Sequence, residues 1–578
     1  MTPPPPRIRR RVVPAHGPWP DSVPPVLQRV YAARGVLDAA QAELKLSRLL
    51  PPDALGRVGA AVQLLADAIA GNRHIVVVGD FDCDGATGTA VAVRGLRLLG
   101  ARYVGYRVPH RHRHGYGLSP ALVDELATLQ PAPELLLTVD SGIACHAGVA
   151  AAKARGWQVL VTDHHLPGAT LPAADAIVDP NLADDPFPSK ALAGVGVVFY
   201  LLLALRRHLR DAGAFAGAAE PDLATLLDLV AVGTVADLVP LDLNNRLLVA
   251  AGLRRLRAGQ GQPGLRALAQ VAGRDLATLD AGDIGFALAP RLNAAGRLED
   301  MALGIECLLC DDAGRAHELA CVLDGINAER RELQQRMVDQ AEVLADAMPA
   351  PAGEIPPAFC LFDPGWHAGV VGLVASRLKE RMQRPVVAFA PAEGDGGWLK
   401  GSARSIPGLH LRDVLAAIDA GAPGLIERFG GHAMAAGLTL AAANLPAFEA
   451  ALHAHVALRL DPELLAGELA SDGELAAHEL ERGLADALRL AGPWGQGFAE
   501  PLFDGEFRVL QWRAVGGRHL KMTLAAAAGS TPLPAIQFGA WADAPAPARV
   551  RIAYQLAGDD WNGRRGVQLL VRACEALA

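Results

Sequence analysis

The sequence predicts a multidomain α/β protein, and three observations carry that prediction. The chain has 578 residues, well beyond what one hydrophobic core serves, so three or four domains are expected. Four short apolar runs in its first third each end in acidic or histidine residues and alternate with helix-like segments, the pattern of a parallel sheet. After about residue 466 the texture changes to short alternating segments between turn residues, which suits a small antiparallel barrel or sandwich.

The first run, HIVVVG at 74–79, is β-branched and ends at Asp80; a helix-like segment follows at about 86–99. ELLLTV at 134–139 ends at Asp140, QVLVT at 158–162 ends at Asp163-His164-His165, and DAIV at 175–178 ends at Asp179-Pro180-Asn181. Ligands of open parallel sheets bind beyond the carboxyl ends of the strands, so these distant residues are expected to meet at one edge. From about 190 to 300 the pattern is mostly helical, and residues 311–348 carry a long charged helical pattern that suits a rigid spacer between two lobes. A second α/β unit begins near 357, with AFCLF and RPVVAF as strands around the helix VVGLVASRLKERM. Two Gly-rich stretches follow it, LKGSARSIPG at 399–408 and RFGGHAMAAG at 428–437.

Composition excludes several classes. Apolar residues make up 51% and charged residues 20%, which is globular rather than disordered. No run of eighteen apolar residues is free of charge, so no membrane span is expected. The N-terminus, MTPPPPRIRRRVVPAHGPWP, lacks the apolar core of a signal peptide, and its prolines oppose a transit helix; it reads as a disordered basic arm. The seven cysteines are scattered, and Cys307-x-x-Cys310 has no second pair, which argues against zinc and against a disulfide framework. A reducing cytoplasm fits. The formal charge of −8 confines any nucleic-acid contact to local basic patches.

GDFDCDGATGT places Asp80, Asp82 and Asp84 at alternating positions. Three unpaired carboxylates on one strand face would repel, and the neighbouring glycines suggest a loop in which they fan out around a hard divalent cation. An acidic surface turn is the alternative for the triplet alone. Asp140 in TVDSGIA has a helix N-cap as its alternative, and Asp237 in GTVADLVPL a cap or a solvated loop. Adjacent histidines after a buried strand are seldom plain core residues, and imidazole beside carboxylate favours Mn²⁺ or another transition metal.

These motifs resemble the DHH phosphoesterase superfamily and, within it, the bacterial RecJ single-strand-specific exonucleases. DFDCDGATGT, TVDSGIA, TDHH and ADLVPL resemble its first four motifs in order. VPHRHRHGYGLS, LAGVGVVFYL, PRLNAAGRL, WHAGVVGLVASRL, LKGSARSIPGLHL, RFGGHAMAAG and WGQGFAEPLF extend the likeness over roughly 70–540. The resemblance implies a parallel-sheet DHH catalytic lobe, a long connecting helix, a smaller α/β DHH-associated lobe and a C-terminal OB-like β-barrel. The expected divisions are 1–70 (arm and helical segment), 71–245 (catalytic), 246–350 (helical region), 351–465 (DHH-associated) and 466–578 (barrel).

It further implies a 5′→3′ exonuclease that hydrolyses single-stranded DNA to 5′-mononucleotides in repair and recombination, with two divalent metal ions, Mn²⁺ or Mg²⁺. Asp80, Asp82, Asp84, Asp140, His164 and Asp237 would be ligands, with Asp140 the best candidate for a bridge; Cys83 is not expected to be one. His165 would face the scissile phosphate and act in catalysis with Asp140 and Asp82. Arg111 suits a backbone phosphate and Tyr116 a stacked base. Arg291, Asn293 and Arg297 add polar groups, with a buried arginine pairing with the sheet's carboxylates as the alternative. Ser402 and Arg404 would form the pocket for the 5′ phosphate, completed by His432, unless Gly430-Gly431 is simply a structural turn. Trp512 and Phe538 could stack on bases, but core packing is the stronger expectation for both. Expected partners are single-stranded DNA with a 5′ phosphate, a single-stranded-DNA-binding protein, a helicase and repair factors; a monomer is expected. The rival readings are another DHH phosphodiesterase acting on short oligonucleotides or cyclic dinucleotides, a non-catalytic single-strand-binding scaffold, and a metal-binding protein without nucleic acid.

Overall fold

Five parallel strands form the first sheet, in the spatial order Val104–Arg107, Ile75–Gly79, Leu135–Val139, Gln158–Thr162, Ala176–Val178. The computed structural model describes residues 6–111, 113–348, 355–392, 397–460, 467–526, 530–541, 545–559 and 566–577. The sheet is buried on both faces, as β-branched runs without polar alternation require. Ile75, Val77, Leu135, Leu137 and Leu160 point into one core, beside the helices Cys83–Leu98 and Gly194–Asp211. Val76, Val78, Leu136, Val159 and Val161 point into the other, beside Pro120–Leu126 and His146–Ala154. Each such side chain contributes about 1.5–3 kcal/mol by leaving water.

Four of these strands stand where the apolar runs place them. Val104–Arg107 was not expected: it is a short edge strand, partly exposed and holding a glycine, so its pattern carries little signal. It also creates the switch of strand order, because the chain runs from Ile75–Gly79 to the edge and then returns to the other side. Ligand crevices open at such a switch. The helix after Asp80 begins at Cys83 rather than 86, because Asp82 caps it through Oδ1, which accepts from Gly85 N at 3.0 Å.

The expected long helix runs Ala313–Ala347, roughly 50 Å at 1.5 Å per residue. Its first half buries Ala316, Leu319, Ala320 and Leu323 in the main core. Its second half buries Met337, Ala341 and Ala345 against Val371–Met382 of the second lobe. The helix therefore belongs to both lobes and fixes the cleft between them. The second sheet has the order Arg428–Gly431, Ala435–Ala441, Trp398–Arg404, Val386–Pro391, Phe359–Phe362; the last pair is parallel and the others antiparallel.

The C-terminal strands close into a five-stranded barrel rather than a sandwich, and one pair, Leu533–Gln537 with Gly566–Leu577, is parallel. Trp512 packs against the main core as expected, whereas Phe538 is 65% exposed, against expectation, with the edge of His519 upon it. The basic arm is also corrected. Residues 1–5 lie outside the described residues, but Arg7–Arg10 pair in parallel with Glu468–Ser471, and Arg10 reaches the buried Asp504 at 2.9 Å. Buried carboxylates at Asp472 and Asp504 order the arginines that a composition reading leaves in solvent. Among the described residues no helix is long and apolar enough to cross a membrane.

Candidate metal centre

Three strand ends and one helix end deliver the acidic residues and histidines to one place. Asp80 follows Ile75–Gly79, Asp140 follows Leu135–Val139, and His164 and His165 follow Gln158–Thr162. Asp237 stands at the C-terminal end of Leu227–Ala236, where the helix dipole disfavours a carboxylate unless a cation is near. Ligand atoms of Asp80, Asp82 and Asp140, of Asp84, His164 and Asp237, and of Asp140, His164 and His165 form three overlapping groups, each within 4.8 Å. All seven residues singled out in the sequence converge. Asp140 and His164 each join two of the groups, and of the two only the carboxylate has two oxygens to share between cations.

For Asp140 and Asp84 the alternatives to a site fail on geometry. Asp140 caps no helix: it sits in the left-handed region at φ 59, which aspartate tolerates better than most residues, and the next helix starts only at His146. Asp84 lies in the first turn of its helix and is buried, with both oxygens taken by the amides of Gly194 (2.6 Å) and Val195 (2.9 Å). Gly194 is there for space, since a Cβ would stand 2.5 Å from that of Asp140.

The electrostatics favour a cation. Burial, then the charge of Asp82, pushes Asp80 well above the usual carboxylate range and Asp84 to about 7. Burial, then Asp84, does the same to Asp140, and takes Asp237 to about 9. Burial, then His165, lowers His164 to about 4, so its ring is neutral, and it makes a hydrogen bond to the Leu192 backbone. His164 Nε2 lies 3.1 Å from Asp140 Oδ1 and 3.5 Å from Asp237 Oδ2. Asp80 Oδ1, Asp140 Oδ1 and His164 Nε2 are all buried without a hydrogen-bond partner. Converging lone pairs in a buried carboxylate–imidazole set fit a divalent metal ion, with the ring's hydrogen bond to a backbone group as the usual outer support.

His165 differs. Burial would lower its pKa, but the Asp163 carboxylate, 2.7 Å from Nδ1, outweighs burial and holds the ring near 9. It is therefore a cation beside the cluster. The Tyr116 hydroxyl donates to the Asp140 carbonyl at 3.1 Å and stands 3.4 Å from His165 Nδ1, so its ring is held at the rim of the cluster and remains half exposed. Arg111 lies over Phe81 at 3.9 Å and donates to the Gly296 carbonyl.

The PRLNAAGRL residues divide. Arg291 is committed to Asp324 of the long helix (2.8 Å) and to the Ala287 carbonyl (2.6 Å); it pairs neither with the sheet's carboxylates nor faces the cleft as a free substrate group, which corrects both expectations. Asn293 accepts from Cys83 N at 2.9 Å and so braces the DFDCDG loop from behind. Arg297 donates to the Gly369 carbonyl and joins the lobes; burial, then Arg111, lowers it to about 10, with Arg404 among the charges acting on it.

In the second lobe Ser402 and Arg404 share a strand face, and Arg404 donates to Ser402 Oγ (2.9 Å) and Ser376 Oγ (3.2 Å). A Cβ on Gly372 would stand 2.9 Å from both Arg404 Nη2 and Ser402 Oγ, so the glycine keeps this corner open. Among the described residues no carboxylate pairs with Arg404, and burial lowers its pKa. His432 lies in the turn before Ala435–Ala441; burial, then the charge of His165, lowers its pKa. Gly431 has φ 137 and no room for a Cβ beside Ala435 O, so that glycine serves the turn. Sequence reasoning missed Asp163 as the partner of His165, and Ser376 and Gly372 as walls of the Arg404 corner. Only Asp163 had a signal, its place in TDHH.

Comparison with known proteins agrees with this fold. The family models for the DHH family N-terminal domain, the DHHA1 domain and the RecJ OB domain match residues 74–234, 356–457 and 471–573. The single-stranded-DNA-specific exonuclease RecJ of Dickeya dadantii is 53% identical over 98% of both chains, and that of Escherichia coli is 50% identical over 98% of both. The crystal structure of RecJ in complex with Mn²⁺ from Thermus thermophilus is 34% identical with a TM-score of 0.80, covering 99% of this chain and 80% of that one. The corresponding Mg²⁺ complex has a TM-score of 0.74 at 32% identity, covering 99% and 79%.

Proposed function

The chain belongs to the RecJ family, and from that premise we propose that it degrades single-stranded DNA from the 5′ end, releasing 5′-mononucleotides. It is a metal-dependent exonuclease using divalent cations, Mn²⁺ or Mg²⁺. Asp80, Asp82, Asp84, Asp140, His164 and Asp237 would hold them, with Asp140 shared. Bound there, the cations would supply Lewis-acid polarisation of the phosphate and a lowered pKa for the attacking water.

The chain's own groups do the rest. His165, kept protonated by Asp163, donates to a non-bridging phosphate oxygen as negative charge develops. Tyr116 at the rim supports a base, and Arg111 draws the backbone phosphate inward. Polarity rests on one observation: Arg404 is half-buried with two serine hydroxyls and no described carboxylate partner, a corner suited to a terminal phosphate dianion. A cyclic or very short substrate would need neither that corner nor the barrel.

The reading includes a monomer in the cytoplasm acting in repair and recombination, with a single-stranded-DNA-binding protein and a helicase as partners; it rests on family membership. The test is a single strand labelled at either end and digested with Mn²⁺ or Mg²⁺. Mononucleotides released first from the 5′ end are expected. Release from the 3′ end, or equal cutting of duplex, refutes the polarity or the strand preference.

A further inference from the structure

His164 and His165 stand in a stretch without regular secondary structure, yet His164 Nε2 has to meet Asp140 and Asp237 at once. Their peptide groups are gripped from two sides. The amides of His164 and His165 donate to Asp163 Oδ1 at 2.8 and 3.2 Å. The His164 carbonyl accepts from Asn181 Nδ2 at 2.6 Å. Asn181 lies just beyond the edge strand Ala176–Val178, whose Val178 carbonyl accepts from Asp163 N at 3.2 Å. It is itself fixed: its amide donates to Asp179 Oδ1 at 2.8 Å. Lys190 Nζ donates to the carbonyls of Pro180 (2.6 Å) and Asp185 (2.7 Å), tying the turn to the chain that follows.

We propose that Asn181 is a positioning residue for metal binding, its side-chain amide locking the His164–His165 peptide so that Nε2 of His164 faces Asp140 and Asp237. The proposal rests on the reading of His164 as a ligand. A carbonyl can be held only by a donor, and of the planar side chains of this size only the amide offers one; a carboxylate would present lone pairs to a lone pair. Outer partners of ligands typically tune metal affinity 10–100-fold.

The test uses the full chain, metal-free, as Asn181→Asp, Asn181→Ala and His164→Ala beside the parent. Mn²⁺ binding is read without DNA, from the spin-resonance signal of free Mn²⁺, and the metal-free melting temperature is read in parallel. Both Asn181 variants are expected to bind Mn²⁺ about 10–100-fold more weakly. Losing one hydrogen bond should lower their metal-free melting temperature by no more than about 4 °C. Asn181→Asp removes the donor while keeping the size and the backbone bond to Asp179, and Asn181→Ala removes it without adding a charge. Parent-like Mn²⁺ affinity in both variants, or a weakening that only follows a collapse of the metal-free fold, overturns the proposal. Parent-like affinity in His164→Ala instead overturns the ligand reading beneath it.

Discussion

His164 Nε2 and Asp140 Oδ1 face each other at 3.1 Å, both buried and neither hydrogen-bonded. The imidazole is neutral, because burial lowers it to about 4. Two lone pairs so placed repel, and a cation between them turns the repulsion into binding. Mn²⁺ at a hundred times its dissociation constant should therefore stabilise the protein by about 2.7 kcal/mol, or roughly 5–10 °C at the catalytic lobe. Calorimetric scans with Mn²⁺ and with chelator check this; identical melting would contradict the site.

Asp140→Asn should cut hydrolysis by on the order of 10³-fold or more, since several kcal/mol of transition-state stabilisation depend on the cations it would share. Asparagine also tolerates φ 59, so the fold should persist. Asp140→Ala should lose the same activity and about 1–2 kcal/mol of stability as well. Single-turnover rates and melting curves of both variants distinguish the two effects.

Arg404→Gln should erase the preference for a 5′-phosphorylated over a 5′-hydroxylated strand. Loss of a charge-assisted contact of about 1.5–3 kcal/mol corresponds to a rise in KM of roughly 10–100-fold. Paired digestions of the two substrates measure it, and a retained preference would place the terminal phosphate elsewhere.

Gly194→Ala should disable the enzyme without replacing a ligand. The added methyl collides with Asp140 and displaces the helix end whose amide holds Asp84. Overpacking of this kind costs about 1–3 kcal/mol. Mn²⁺ titration and urea unfolding of the variant should both weaken.

Asp504 carries a pH dependence at the barrel. Burial would raise its pKa, but hydrogen bonds from Arg10, Ser471 and Arg551 outweigh burial and hold it below the usual carboxylate range. A depressed folded pKa gives stability that is present above the unfolded value and lost as pH falls through the folded one. Asp504→Asn should thus be less stable than the parent at pH 7, by roughly 1–3 kcal/mol, and the gap should close below about pH 4. Urea unfolding across that range measures it; a gap independent of pH would contradict the linkage.

The parallel sheet, the long helix and the seven clustered residues were legible in the chain itself, because β-branched runs ending in carboxylates mark buried strands and their ligand edge without knowledge of neighbours. The same local logic misplaced the N-terminal arm, whose arginines look solvated until Asp472 and Asp504 are found buried behind them. It missed Val104–Arg107, an edge strand made by pairing rather than by pattern. It also offered Arg291 to the substrate, although Asp324 of a distant helix already holds it. Metal-binding chemistry was thus determined by residue type and local spacing along the chain. Which atoms are left bare to bind a cation, which arginine is left free for a phosphate, and what braces His164 were decided only by the tertiary structure, because each depends on whether a partner far away in sequence has filled the hydrogen bond first.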